Sequence, residues 1–145
     1  MATLLTLIKA QIKANLDELK VAGTLGEVVY DDYKLGILDR DYGAYPVAIL
    51  QTASLQGGYL TNTQNIRTYT YQIVILQRAE NVASATDIEH LMEDVINKFD
   101  SDITLSGTAD GGVEPSSSVP EPVTSRGKSF IALSIFIKAK AVKDI

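Results

Sequence analysis

The sequence contains no cysteine and only one histidine among its 145 residues. Without cysteine the chain can form neither a disulfide framework nor a thiolate metal site, and it has no cysteine nucleophile. A zinc site or a nucleophile relay built on imidazole needs partners that a single histidine does not have. His90 falls on the polar side of a predicted helix, so we interpret it as a solvated surface residue.

Long hydrophobic runs are also missing. No run approaches the ~18 apolar residues that a transmembrane helix needs. The opening stretch MATLLTLIKAQIKANL is partly apolar, but Lys9 and Lys13 interrupt it and no small-residue cleavage site follows. The sequence therefore predicts no signal peptide, no transmembrane segment and no membrane partner.

A basic stripe, which usually marks a protein that binds nucleic-acid phosphates, is absent as well. Thirteen basic side chains stand against eighteen acidic ones, which gives a net charge of −5. The glycine-rich stretches GTADGG and LQGG carry neither a P-loop lysine nor a GxGxxG pattern that opens a helix. We expect no sequence-specific nucleic-acid binding, no phosphate site and no cofactor.

Two amphipathic helical patterns are present. Residues 3–21 repeat apolar side chains at helical spacing, and Gly23 and Gly26 follow the pattern and end it. The stretch SATDIEHLMEDVINKFD, residues 84–100, places apolar and charged side chains on opposite sides and begins with residues that cap helices. Both segments are predicted to be helices with one buried face.

Strand patterns occupy most of the remaining sequence. They cover residues 27–33, 45–54 and 66–78, and a closing stretch, SFIALSIFIKAK. Glycine and asparagine residues between the second and third strands predict an antiparallel hairpin with a flexible tip at 55–66. Tyr69 and Tyr71 are expected to pack within the sheet.

Residues 106–128 are rich in glycine and serine and hold three of the four prolines. This composition predicts a flexible, extended arm, or an edge strand in which proline prevents further pairing. The whole chain, 1–145, is then a single α+β domain. It has an antiparallel or mixed sheet of four to five strands, with two amphipathic helices packed mainly on one face.

Two helices of ~10 Å diameter cover about one face of such a sheet. Val74, Leu76, Phe130 and Phe136 are predicted to face the other side. Large exposed apolar patches usually mark contact surfaces, so we expect another subunit or a protein partner to cover these residues. The alternatives are that the 106–128 arm folds over this face, or that one helix lies on each face.

The stretch YDDYKLGILDRDYG groups four aspartates with an arginine. Paired carboxylates of this kind can bind a divalent cation or perform acid–base chemistry in a small metal-dependent enzyme. Alternating charges near a turn more often form a solvated rim, and we favour a salt-bridged rim between subunits, without metal or catalysis. The candidate interface residues in this segment are Asp31, Asp32, Asp39, Arg40, Asp41 and Tyr42.

Several segments share their order and character with one known family. They are the YPVAILQ strand, the hairpin that leads into YTYQIVILQRAENVASATDIEHLMEDVINKF, the VEPSSSVPEPV arm and the final GKSFIALSIFIKAKAV strand. Together they resemble the tail terminator, or tail completion, proteins of long-tailed bacteriophages, including their minor tail relatives. The resemblance extends over nearly the whole chain, but it transfers no catalytic motif.

The resemblance implies a non-enzymatic structural protein of the virion, assembled in the host cytoplasm. Such proteins form a ring, usually a hexamer, at the head-proximal end of the tail. The ring stops polymerisation of the tail tube protein, offers a docking surface to the head completion or connector protein, and leaves a channel for DNA as passing cargo. A net acidic protein suits that passage, because like charges keep DNA from adhering to the wall.

In this interpretation the hairpin tip from Gly57 to Asn65, which includes Gly58 and Tyr59, and the 106–128 arm contact the tube or the connector. Two structural alternatives remain, a head completion or neck connector protein and a component of a related tail-like particle. A third alternative is not a structural protein: it is an adaptor domain that binds a small ligand between the sheet and the helices.

Overall fold

The structure is a computed structural model that describes residues 4–29, 44–59, 64–81, 85–105, 107, 109–125 and 127–144. Its elements, in chain order, are α1 (Leu4–Val21), β1 (Glu27–Val29), β2 (Val47–Tyr59), β3 (Gln64–Arg78), α2 (Ala85–Asp100), β4 (Gly112–Ser117), β5 (Glu121–Ser125) and β6 (Lys128–Asp144). A short 3-10 turn, Ala79–Asn81, follows β3. This is the predicted α+β fold with a mixed sheet.

The strands form one six-stranded sheet in the order β1-β2-β3-β6-β4, and β5 also pairs with β6. Only the β1–β2 pair is parallel among these strands. The β3–β6 ladder runs without interruption from Gln64↔Asp144 to Arg78↔Phe130. The sheet has more strands than the predicted four to five because β4 and β5 both arise from the proline-rich segment.

Both helices pack on the same face of the sheet, as the sequence predicted. Alternate residues of β3 and β6 point to this face, including Ile73 and Ile135, and they are fully buried beneath the helices. The helical residues of this core are Ile8, Ile12, Leu16 and Leu19 of α1 and Ile88, Leu91, Val95 and Phe99 of α2. We call this side of the sheet the core face.

The end of α1 shows why the predicted boundary is accurate. Gly23 has a φ of 87°, a left-handed conformation that glycine adopts without a Cβ penalty. The backbone N–H of Thr24 then donates to the carbonyl of Leu19 at 3.0 Å. At the start of α2, Asp87 lies in the first turn, where the helix dipole favours negative charge.

Polar contacts join α1 to α2 and to the turn that follows it. Gln11 Nε2 and Asn15 Nδ2 both donate to Asp102 Oδ2, at 3.2 and 3.1 Å. The Asn15 side chain is buried, so its amide depends on this carboxylate for a partner. A salt bridge between Glu18 and Lys98 lies nearby.

The 106–128 segment extends the sheet instead of covering its second face. Both β4 and β5 pair with β6, so the prediction of an edge strand holds and the alternative of an arm folded over the second face is wrong. Pro115 and Pro122 lie in these two strands, opposite Ile137 and Ile131. Edge positions tolerate proline because one side of the strand needs no ladder donor.

The tip predicted at 55–66 is in large part paired strand. The β2–β3 ladder continues out to Tyr59↔Asn65, because glycine residues within β2 do not interrupt the pairing. Residues 60–63 lie outside the described ranges. Neither described helix is long and apolar enough to cross a membrane.

Candidate functional site

The second face of the sheet, opposite the helices, carries a small apolar cluster at the β1–β2 end. Val47, Ile49 and Leu76 form its centre and are at most 1% exposed. Val74 and Ala132 pack against them and are partly exposed. This cluster is therefore buried within a single chain.

That burial corrects the expectation of an uncovered apolar face. Leu76 is 1% exposed and Phe130 is 4% exposed, whereas Val74 and Phe136 are partly exposed. Part of the cover comes from Tyr45, whose ring lies 5.8 Å from that of Phe130. A contact role for Val74, Leu76, Phe130 and Phe136 stays a prediction. The burial of Leu76 and Phe130, however, does not require a second subunit.

Arg78 closes the same end of the second face. Its guanidinium carbon lies 4.9 Å from the centre of the Tyr45 ring, and its Nη1 is 3.3 Å from Glu80 Oε1. Its Nε is buried and has no hydrogen-bond partner. A cavity of about 320 Å³ beside it is lined by Arg78, Glu80, Gly127, Lys128 and Ser129. Glu80 already occupies one donor of the guanidinium beside this cavity.

Apart from Phe136, the described remainder of the second face is mostly polar. Gln72 Nε2 donates to Ser134 Oγ at 3.0 Å. The backbone N–H of Ser134 donates to Ser118 Oγ at 3.0 Å, and the backbone N–H of Ser118 donates to the carbonyl of Ser134 at 2.8 Å. These bonds hold the short connection between β4 and β5 against β6.

An ion pair joins β4 to β6 on this face. Lys140 Nζ donates to Glu114 Oε1 at 2.9 Å. The hydrogen bond and the charge of Lys140 hold the pKa of the Glu114 carboxyl below its usual value, and the charge of Lys138 adds to this effect. Because Glu114 is exposed, the pair has little weight for the stability of the fold.

Three strands continue beyond the large side chains of the core. We call this extension the arm. It is distinct from the 106–128 segment and comprises residues 56–59 of β2, 64–68 of β3 and 140–144 of β6. Tyr69 is the last large buried side chain of β3 before the arm, and the small Ala141 is buried at its base. From Tyr69 to Gln64 the strand runs a further ~17 Å.

The outer face of α2 is strongly acidic. Its carboxylate side chains are all exposed, while Lys98, the one basic residue of the helix, is bound to Glu18. A solvated helix of this kind usually mixes both signs of charge. The residues of this α2 outer face are Asp87, Glu89, Glu93, Asp94 and Asp100.

The predicted interface residues fall in three places. Asp31, Asp32, Asp39, Arg40, Asp41 and Tyr42 lie outside the described residues. The backbones of Gly57, Gly58 and Tyr59 lie in the arm, paired with Arg67, Ile66 and Asn65. The four apolar candidates lie on the second face, away from the arm. Within the described ranges no group of His, Asp or Glu side chains could hold a metal ion.

Some features were not singled out from the sequence. The sequence places Arg78 only at the end of a predicted strand, because its approach to Tyr45 depends on a tertiary contact. The acidic side of α2 appears in the sequence only as the polar half of an amphipathic helix. Tyr69 and Tyr71 pack in the core as expected, and burial raises the pKa of Tyr71 far above its usual value.

Neither a protein-family model nor a curated protein matches this chain. Its function is therefore inferred from the surfaces described above and from the resemblance of its sequence segments.

Proposed function

We propose that this protein is a structural subunit of a phage tail. In this proposal copies assemble head to tail into a ring at the head-proximal end, stop growth of the tail tube and offer a docking surface to the head connector. The role is non-enzymatic, and DNA passes through the ring without being read. The arm is the observation that carries the proposal.

The arm is more extended than the core of the domain requires. The core face is filled by side chains from Tyr69 to Ile75 of β3, and the ladder nevertheless continues to Gln64↔Asp144. Strands that continue past the core of a domain gain stability from contact with another surface. A paired extension of this kind suits a subunit that reaches a neighbour.

The edge formed by β4 and β5 is protected against the addition of further strands. Pro115 and Pro122 lie in edge strands that pair with β6 on one side. Proline removes an N–H donor, and edge proline is a common protection against the addition of further strands. This edge is thus protected against growth by sheet extension, which suits a subunit of a ring of limited size.

The proposal is tested by negative-stain imaging of the purified protein mixed with tail tube protein from the same phage. We expect rings at tube ends and tubes that stop growing when the protein is added. A variant that deletes 58–65 and closes the hairpin with a two-residue turn removes the outer end of the β2–β3 hairpin from the arm and should lose ring binding. Its thermal unfolding gives the control, because the core residues are untouched.

Tubes that grow to the same length with no protein at their ends contradict the proposal. Binding to the head connector but not to the tube would instead favour the neck connector alternative. A metal-dependent enzyme or a ligand-binding adaptor predicts a different result, which is thermal stabilisation by a divalent cation or a nucleotide.

A further inference from the structure

The guanidinium of Arg78 has donors that no described group uses. Its Nε is buried without a hydrogen-bond partner, and it is the one buried side-chain nitrogen or oxygen in that condition among the residues that the structure describes. Buried polar groups in native proteins almost always have a partner, and an exception often marks a place where a water, an ion or a ligand binds. A ligand at this end of β3 would account for the exception.

Glu80 approaches the guanidinium from the side of Nη1. Its Oε1 lies 3.3 Å from Nη1. The Nε–H and one N–H of Nη2 point together in another direction, and they form a fork that matches the two oxygens of a carboxylate. The Tyr45 ring, with its centre 4.9 Å from the guanidinium carbon, covers a face of the group and not the edge that carries the fork.

A cavity of about 320 Å³ adjoins this guanidinium. Besides Arg78 and Glu80, its described lining consists of Gly127, Lys128 and Ser129 at the start of β6. This volume is at the lower end of the range for small-molecule sites, so it suits a group of a few heavy atoms. The Arg78 side chain is 35% exposed and that of Glu80 is 70% exposed, so the guanidinium has room to turn its fork toward the cavity.

We propose that this cavity binds a carboxylate group through the Nε and Nη2 donors of Arg78. The group belongs to a small organic acid or to a peptide. A carboxylate is favoured over a phosphate because Glu80 already places one negative charge beside the guanidinium, and a doubly charged ligand would meet more repulsion. The site lies at the opposite end of β3 from the arm, so the inference does not depend on the proposed ring.

An NMR titration of the ¹⁵N-labelled protein tests the site, because the Nε–H of an arginine gives its own signal. Sodium acetate and sodium succinate, each exchanged for sodium chloride at constant ionic strength, should shift the Nε–H signal of Arg78. The backbone N–H signals of Gly127 and Ser129 should shift with the same dependence on concentration. We expect a dissociation constant on the order of millimolar for so small a ligand.

Arg78→Lys keeps the positive charge but removes the fork. It should weaken acetate binding by roughly tenfold or more, measured at the backbone signals of Gly127 and Ser129. Arg67→Lys is the matched control, since residue 67 lies near the other end of β3, and it should bind acetate as the wild type does.

A second variant gives the opposite result. Glu80→Gln removes the negative charge beside the guanidinium and should strengthen acetate binding by roughly threefold or more. Glu121→Gln is the control, because Glu121 is exposed and does not line the cavity. A gain in affinity cannot come from misfolding, so this variant tests the site even where Arg78→Lys folds poorly.

The source of the carboxylate is distinguished with an acetylated trialanine peptide and its C-terminal amide. Binding of the free acid more tightly than acetate, with none by the amide, would support a peptide ligand, whereas tightest binding of succinate would support a small organic acid. No shift of the Arg78 Nε–H signal, equal shifts with phosphate, or undiminished acetate binding by Arg78→Lys would overturn the inference. Failure of acetate binding leaves the proposed ring standing, and absence of rings on tubes leaves the carboxylate site standing.

Discussion

Asp102 illustrates how one side chain fixes the arrangement of the helical layer. It accepts hydrogen bonds from Gln11 and Asn15 of α1, and removal of this acceptor leaves the buried Asn15 amide without that partner. We expect Asp102→Ala to lower the free energy of unfolding by about 2 kcal/mol, measured by urea denaturation. Asp100→Ala is the matched control, since that carboxylate is exposed; equal losses in both variants would contradict the role given to Asp102.

The Glu114–Lys140 pair gives a prediction for pH dependence. The pKa of Glu114 is below its usual value in the folded protein because Lys140 binds the carboxylate. The pair therefore contributes stability above the pKa of the unfolded chain and loses it as the pH falls through the folded pKa. We expect the melting temperatures of wild type and Glu114→Gln to differ slightly at neutral pH and to converge in acid. A constant difference across the acid range would contradict this, and Glu89→Gln serves as the control.

At the scale of single elements, the second face of β3 distinguishes cover within the chain from cover by a neighbour. Leu76 is buried in one copy, so Leu76→Ala should cost about 3 kcal/mol of unfolding free energy at any protein concentration. Val74→Ala should cost less because Val74 is partly exposed. A Leu76→Ala loss that disappears when the protein is diluted would show that a second subunit provides the cover.

The elements differ in how far the sequence determines them. The helical patterns at 3–21 and 84–100 agree with α1 and α2 within one residue at each end, because apolar spacing and terminal glycine act locally. β2 extends past the predicted end at 54 because its glycine residues pair with β3. The burial of Leu76 could not be predicted, since it depends on contacts between residues far apart in the chain.

For the whole molecule, the fold class and the placement of both helices on one face were predictable from the number of apolar surfaces. The candidate contact surfaces were less predictable from the sequence. Gly57, Gly58 and Tyr59 do lie in the arm, but the apolar second face lost its role as an exposed patch once the cluster around Val47 and Ile49 was seen to be buried.

The central place of β6 has a consequence for synthesis of the protein. β6 pairs with β3, β4 and β5, yet it is the last of the six strands in sequence. Pairing between distant segments folds slowly, and unpaired strand edges favour aggregation during that interval. During translation, one edge of β3 stays unpaired and its core face stays incompletely packed until β6 has been synthesised. The apolar residues of β3 are thus most vulnerable during translation, before any copy can meet another.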